Sequence, residues 1–314
     1  MTERNSERVS CVARSSPQGC TMRQTLRTIA ITNVLLFGAV SLLAAGWFIS
    51  QQVKREISRT NEREFSAKVD VSFGTLYVKQ GERDKIVMVE YDEYEENDES
   101  LDISYRITDS KGKLVVESRD RKKSKRRSGD DRRSKDPKWN LQFSNALPMS
   151  LSIELGAGKG EFDLTGLQIS DLKVSSGASS VEMNCDEPNR VELDKIEIES
   201  GVSKFSAYNL CNLNFRRLKF EGGVGAYKLD FGGKLRQDAE VDIEVGLGAV
   251  SIVVPDDVPA RVIYDDSWFS SFDVDHGFVK NKKGVYETDS YRSSEKRLTI
   301  KIEAGLGSVK VRRK

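Results

Sequence analysis

One pattern recurs six times in the second half of this chain: LSIELGAGKGEFDL, LKVSSGASSVEM, IEIESGVSKFSA, LKFEGGVGAYKL, VDIEVGLGAVSI and IKIEAGLGSVKV. Each copy is anchored on a glycine, namely Gly156, Gly177, Gly201, Gly223, Gly246 and Gly305. Five and three places before each anchor stand apolar pairs, from Leu151/Ile153 and Leu172/Val174 to Ile300/Ile302. Four and six places after it stand Val181/Met183, Phe205/Ala207, Tyr227/Leu229, Val250/Ile252 and Val309/Val311, with Gly160 and Phe162 in the first copy. Successive anchors are 21, 24, 22, 23 and 59 residues apart. Self-similarity at a period of about 20–50 residues signals stacked repeats. Alternation on both sides of each glycine signals strands with one buried face. The spacing therefore predicts an all-β parallel β-helix, a solenoid of ~22-residue coils, each made of two short strands and a glycine corner. A third, weaker inward segment per coil is expected at Leu167/Ile169, Val191/Leu193, Leu213/Phe215 and Leu235.

The corner chemistry explains the glycines in this reading. The chain must turn while neighbouring coils lie about 4.8 Å away, and glycine reaches positive φ without steric cost. The next residue is apolar (Ala157, Ala178, Val202, Val224, Leu247, Leu306) and is expected to point inward. A small residue follows (Gly158, Ser179, Ser203, Gly225, Gly248, Gly307) and lets coils nest.

The stretch GAGKG at 156–160 looks like a phosphate loop, but Lys159 is followed by Gly160 rather than Ser or Thr, and a strand pattern follows where a helix is required. Lysine occurs in two of the six loops, so it is not what the loop is for. A calcium-binding roll would need a carboxylate where Tyr227 stands in GGVGAY.

Residues 29–49, IAITNVLLFGAVSLLAAGWFI, carry no charge. At 1.5 Å per residue they span about 31 Å, close to the hydrocarbon core, so a single uncleaved transmembrane helix is expected there, with Trp47 at the interface. Arg23 and Arg27 precede it, whereas Lys54, Arg55, Arg59 and Arg63 follow. The expected arrangement is a membrane protein crossing once, N-terminus inside and solenoid extracytoplasmic. Residues 1–28 read as a polar N-terminal segment with two alternative starts, Met1 or Met22, and 50–64 as a polar helical stalk. Strand-like runs fill 65–118, and VDVSFGTLYV around Gly74 loosely echoes the repeat. Residues 255–297 interrupt the repeat with an irregular coil and a covering loop.

The runs LSIELGAGKGEFDLTGL, LKFEGGVGAYKLDFGGKL, VDIEVGLGAVSIVVPDDVPARV and EAGLGSVKV resemble the bacterial toast-rack family, which includes the C-terminal domains of cell-wall-stress response membrane proteins and related candidate adhesins. The resemblance covers roughly residues 65–314. It implies a right-handed β-helix attached to a membrane, acting in envelope-stress sensing or as a scaffold for a protein partner in the envelope. It carries no catalytic residues. The alternative is a cell-surface adhesin or a module binding glycan or anionic polymer.

The candidate sites are few. The segment 119–138 has eleven Lys/Arg against four Asp. Its Arg121, Lys122, Lys123, Lys125, Arg126, Arg127, Arg132 and Arg133 suit an anionic lipid or wall polymer, while the absence of interleaved aromatics argues against nucleic acid. His276, with Asp273 and Asp275 nearby, reads as a solvated loop rather than a metal site. There is no G-x-S-x-G elbow. Cys185 and Cys211 read as buried free thiols, and Cys11 and Cys20 as cytoplasmic. The expectation is a non-enzymatic protein without cofactor or metal. Chain charge is balanced, 50 Lys/Arg against 49 Asp/Glu.

Overall fold

A computed structural model describes residues 51–93, 99–120, 136–265 and 270–314. The expected membrane span at 29–49, Cys11, Cys20 and the eight basic residues at 121–133 lie outside the described residues. Among the described residues no helix is long and apolar enough to cross a membrane.

The chain runs through β1 (Gln51–Ser58), β2 (Glu64–Gln80), β3 (Lys85–Glu93), β4 (Glu99–Thr108), β5 (Lys111–Asp120), β6 (Lys138–Phe143), β7 (Pro148–Asp163), β8 (Gln168–Asn184), β9 (Leu193–Tyr208), β10 (Phe215–Asp230), β11 (Ala239–Val254), β12 (Ala260–Tyr264), β13 (Ser270–Val274), β14 (Val279–Lys282), β15 (Val285–Glu287) and β16 (Leu298–Arg313). The long strands β2, β7, β8, β9, β10, β11 and β16 pair side by side, all parallel. Each is one strand of 16 or 17 residues that continues through its glycine, not two strands broken by a corner. The pairing skips the glycine alone: Leu155 faces Ser176, then Ala157 faces Ala178.

Parity across that skip explains the bend. Positions five, three and one before the glycine point in, and so do positions two, four and six after it. Two consecutive residues, the glycine and its successor, must therefore both point out. This corrects the expectation that the successor plugs the corner: Val202 is 66% exposed and Leu306 53%.

The apolar positions three places before the glycines stack into an internal ladder. Ile153, Val174, Ile198, Phe220 and Ile243 are register partners in successive strands, all buried. Val69 and Ile302 extend it at either end. The apolar pairs after the glycine are equally buried, and Phe205, Phe220 and Tyr227 fill the centre with edge-on rings 5.8 and 5.2 Å apart. The third inward segment holds for Leu167, Ile169, Leu193, Leu213 and Phe215, whereas Val191 and Leu235 are only partly buried.

Both terminal coils are split at the bend. The first half of β2 pairs β5 and its second half β6, and β16 likewise pairs β12 and then β13. The antiparallel hairpin β14–β15 packs on β12, which gives the expected irregular coil and cover at 255–297. Residues 51–58 are not a helical stalk. They form β1, antiparallel to β3, with Val53 and Ile57 against the core, because an apolar residue recurs there with even spacing and finds an open strand edge.

Asparagines stitch the connections opposite the bend. Buried Asn189 donates to the carbonyls of Ile169 (2.6 Å) and Leu213 (3.2 Å) and accepts from the Ile169 amide. Asn212 donates to Cys185 O and accepts from Lys234 N, each at 2.9 Å. Asn209 and Asn214 sit at φ 56°, a left-handed conformation that asparagine tolerates.

Candidate functional site

The six anchor glycines come together as a row across the outer face of the bend. They do not adopt positive φ. That conformation belongs to Gly74, Gly158, Gly248 and Gly307, two places further on. The anchors are glycine because the previous coil passes so close. A Cβ on Gly156 would lie 2.5 Å from Ser72 O, one on Gly223 2.8 Å from Gly201 O, and one on Gly305 2.5 Å from Gly246 O. Ser72, not Gly74, is thus the anchor position of β2, and the echo seen around Gly74 is a true coil displaced by two residues.

Rows of side chains flank the glycines. Two places before them run Asp70, Glu154, Ser175, Glu199, Glu221, Glu244 and Glu303, register partners from strand to strand. One place after them run Phe73, Ala157, Ala178, Val202, Val224, Leu247 and Leu306, paired in the same way. Among the described residues, five of the seven large apolar side chains left exposed stand in this one row. Each forgoes about 1 kcal/mol or more of burial free energy, taking half the value for a fully buried aliphatic side chain. That deficit is concentrated in one line along the bend.

Between the carboxylates and the glycines lies an open groove of about 860 Å³ across β8–β11 and β16, which Asp265 joins at one end. No lysine or arginine lines it. Lysines stand at its rim: Lys173 pairs with Glu199 at 3.1 Å, and Lys219 with Glu221 at 2.5 Å and Glu244 at 3.7 Å. These bonds hold both ammonium groups above their ordinary pKa, the carboxylate hydrogen bond being the main cause in each. The groove offers charge and apolar contact but no nucleophile–base pair. The acidic row was missed in the sequence, although the signal was present as E-x-G in five of the six copies.

The remaining candidates do not converge on a site. His276 is exposed, and Asp273 and Asp275 are engaged by Arg312, at 2.5 and 3.3 Å. Lys159 pairs with Glu161. Cys185 and Cys211 are free and buried, and burial pushes both thiols up to about 12, so neither is a reactive nucleophile at neutral pH. No group of metal-ligating side chains occurs among the described residues.

The sequence profile described as the N-terminal domain of toast_rack matches residues 49–208, half of the chain. The chain belongs to the toast-rack family. A second profile, described as cell wall-active antibiotics response LiaF, C-terminal, matches residues 206–311. The toast-rack signature thus continues into that of an envelope-related family, and the two profiles meet inside the repeat, at the end of β9. No curated relative matches the chain. Solved structures with similarity to it include a candidate cell adhesion protein from Clostridium sporogenes ATCC 15579, 18% identical, covering 85% of this chain and 100% of that one, with a TM-score of 0.44. A candidate adhesin from Bacteroides fragilis NCTC 9343 is 13% identical over 84% of this chain and 99% of that one, with a TM-score of 0.35. A candidate lipid binding protein from Parabacteroides distasonis ATCC 8503 is 12% identical over 83% and 97%, with a TM-score of 0.30.

Proposed function

We propose that this toast-rack protein is a non-enzymatic, membrane-anchored β-solenoid that acts in envelope-stress sensing by binding a protein partner. The observation that carries the reading is the exposed apolar row of the bend. It is repeated coil after coil, where a protein without partners would place polar residues. The profile match to a cell-wall antibiotic response family supports the envelope setting. The uncharged run at 29–49 supports a single span. Parallel strand-to-strand crossovers support right-handed winding. The basic segment 119–138 fits a weak, salt-screened contact with anionic lipid or wall polymer. Co-sedimentation with anionic vesicles that ignores salt would sink that contact.

The sensing role is tested by exposing cells with and without the protein to a wall-active antibiotic while following a wall-stress transcriptional reporter. Its loss should change the onset or amplitude of the response. An identical response in both strains argues for the alternative, a surface adhesin or polymer-binding module.

A further inference from the structure

We propose that the bend is the docking site for a basic amphipathic helix of the partner protein, lying across the strands over β9, β10, β11 and β16. The inference rests on the partner-binding reading above and names the chemistry of that partner. Its apolar half is the ridge Val202, Val224, Leu247 and Leu306, 66, 45, 45 and 53% exposed. Its charged half is the parallel row Glu199, Glu221, Glu244 and Glu303, with glycines between the two.

Three features select the occupant. The first is charge. Five carboxylates line the groove against the two rim lysines that pair with them. A second copy meeting this one bend to bend would bring its own acidic row against it, its basic segment 119–138 has no large apolar residue to seat on the ridge, and an anionic membrane surface would be repelled by the acidic row. A basic partner is attracted. The second is period. Neighbouring strands are spaced by about 4.8 Å, close to the helical pitch of about 5.4 Å. One turn of a helix therefore meets each coil, and four coils accommodate about three turns. An extended strand, with like-facing residues about 6.8 Å apart, falls out of step after two coils. The third is width. The acidic and apolar rows are three residues apart along each strand, about 10 Å at most, which is the width of a helix with its side chains. The glycines leave the space between the rows open. A helix with a basic stripe beside an apolar stripe matches both rows at once.

The test uses the full-length protein in neutral detergent and a fluorescent helical peptide of Leu and Lys with adjoining apolar and basic stripes, roughly four turns long. A scrambled peptide of the same composition and empty micelles serve as controls. The striped peptide should bind above both controls, more weakly as salt rises. Val224→Ser combined with Leu247→Ser should lower its affinity by about tenfold or more. Glu221→Gln with Glu244→Gln should remove most of the salt dependence. All four side chains are outward-facing, so both double variants should melt with the parent. Equal binding of the scrambled peptide, or parent-like binding by both variants, overturns the proposal. A photo-crosslinking residue in place of Leu247 in native membranes supplies the second measurement, with Val279, also exposed, as the control position. An adduct with a protein segment carrying basic and apolar residues at helical spacing supports the site. An adduct with lipid, wall polymer or a second copy, or none above the control, overturns it. Failure here, with an antibiotic response that still changes when the protein is lost, leaves the sensing role standing without this site. An antibiotic response identical with and without the protein, together with intact striped-peptide binding, removes the role and keeps the site.

Discussion

At the scale of single residues, the anchor glycines are a packing device rather than a conformational one. A methyl on Gly156 would stand 2.5 Å from the backbone oxygen of Ser72, whereas one on Gly201 would stand 3.1 Å from that of Gly177. Backbone cannot swing aside as a side-chain tip can, so Gly156→Ala should lose on the order of 1–3 kcal/mol through overpacking. At Gly201 the smaller clash is set against a gain of about 0.4–1 kcal/mol from a stiffer unfolded chain, and Gly201→Ala should be close to neutral. Thermal melts of the two variants decide, and equal losses would contradict the stacking geometry. The positions of these glycines were legible in the sequence, because a shared offset from apolar residues is a one-dimensional property. Their physical reason was not, because it depends on where the carbonyl of another coil comes to lie, 24 residues earlier for Gly201 but 84 for Gly156.

At the scale of elements, the bend is legible in the spacing of the apolar residues. An odd interval separates the apolar position before the glycine from the one after it, and an odd interval in a strand forces two neighbouring residues to the same face. That parity, applied to Val224 or Leu247, gives the outward ridge directly. The opposite corner is different. Asn189 satisfies carbonyls from the coils before and after its own, and Asn212 a carbonyl from the coil before and an amide from the coil after, and no local pattern distinguishes such an asparagine from one in a solvated turn. The hairpin at the far end is held by a similar hidden group. Glu287 is buried and accepts hydrogen bonds from Arg261 at 2.7 Å and Arg292 at 2.9 Å, while Arg261 lies 4.3 Å over the ring of Tyr291. Burial alone would raise its pKa, but the two guanidinium hydrogen bonds outweigh this and bring it below the ordinary 4.5. A lowered folded pKa means stability that is present above the unfolded value and lost as pH falls through the folded one. Glu287→Gln should therefore lower the melting temperature at neutral pH, and the gap to the parent should narrow below about pH 4.5. A gap that stays constant on acidification would contradict a charged Glu287.

At the scale of the whole molecule, the solenoid is a rack whose inside is a continuous apolar ladder and whose bend displays one acidic and one apolar row to its surroundings. Composition hides this, because the charge of the entire chain is nearly balanced while its distribution over the bend is not. The proposed role requires that this bend be accessible on the outer side of the membrane. Cysteine labelling tests both requirements together. The native Cys185 and Cys211 are buried, and Cys11 and Cys20 precede the proposed span, so the parent should react little with a membrane-impermeant maleimide applied to intact spheroplasts. Val224→Cys and Leu247→Cys should label readily under the same conditions, whereas Ile243→Cys, one step inside the ladder, should stay unlabelled until the protein is denatured. Labelling of the ridge variants only after permeabilisation would place the solenoid on the inner side. Labelling of Ile243→Cys in place of Val224→Cys and Leu247→Cys would contradict the outward ridge on which the account depends.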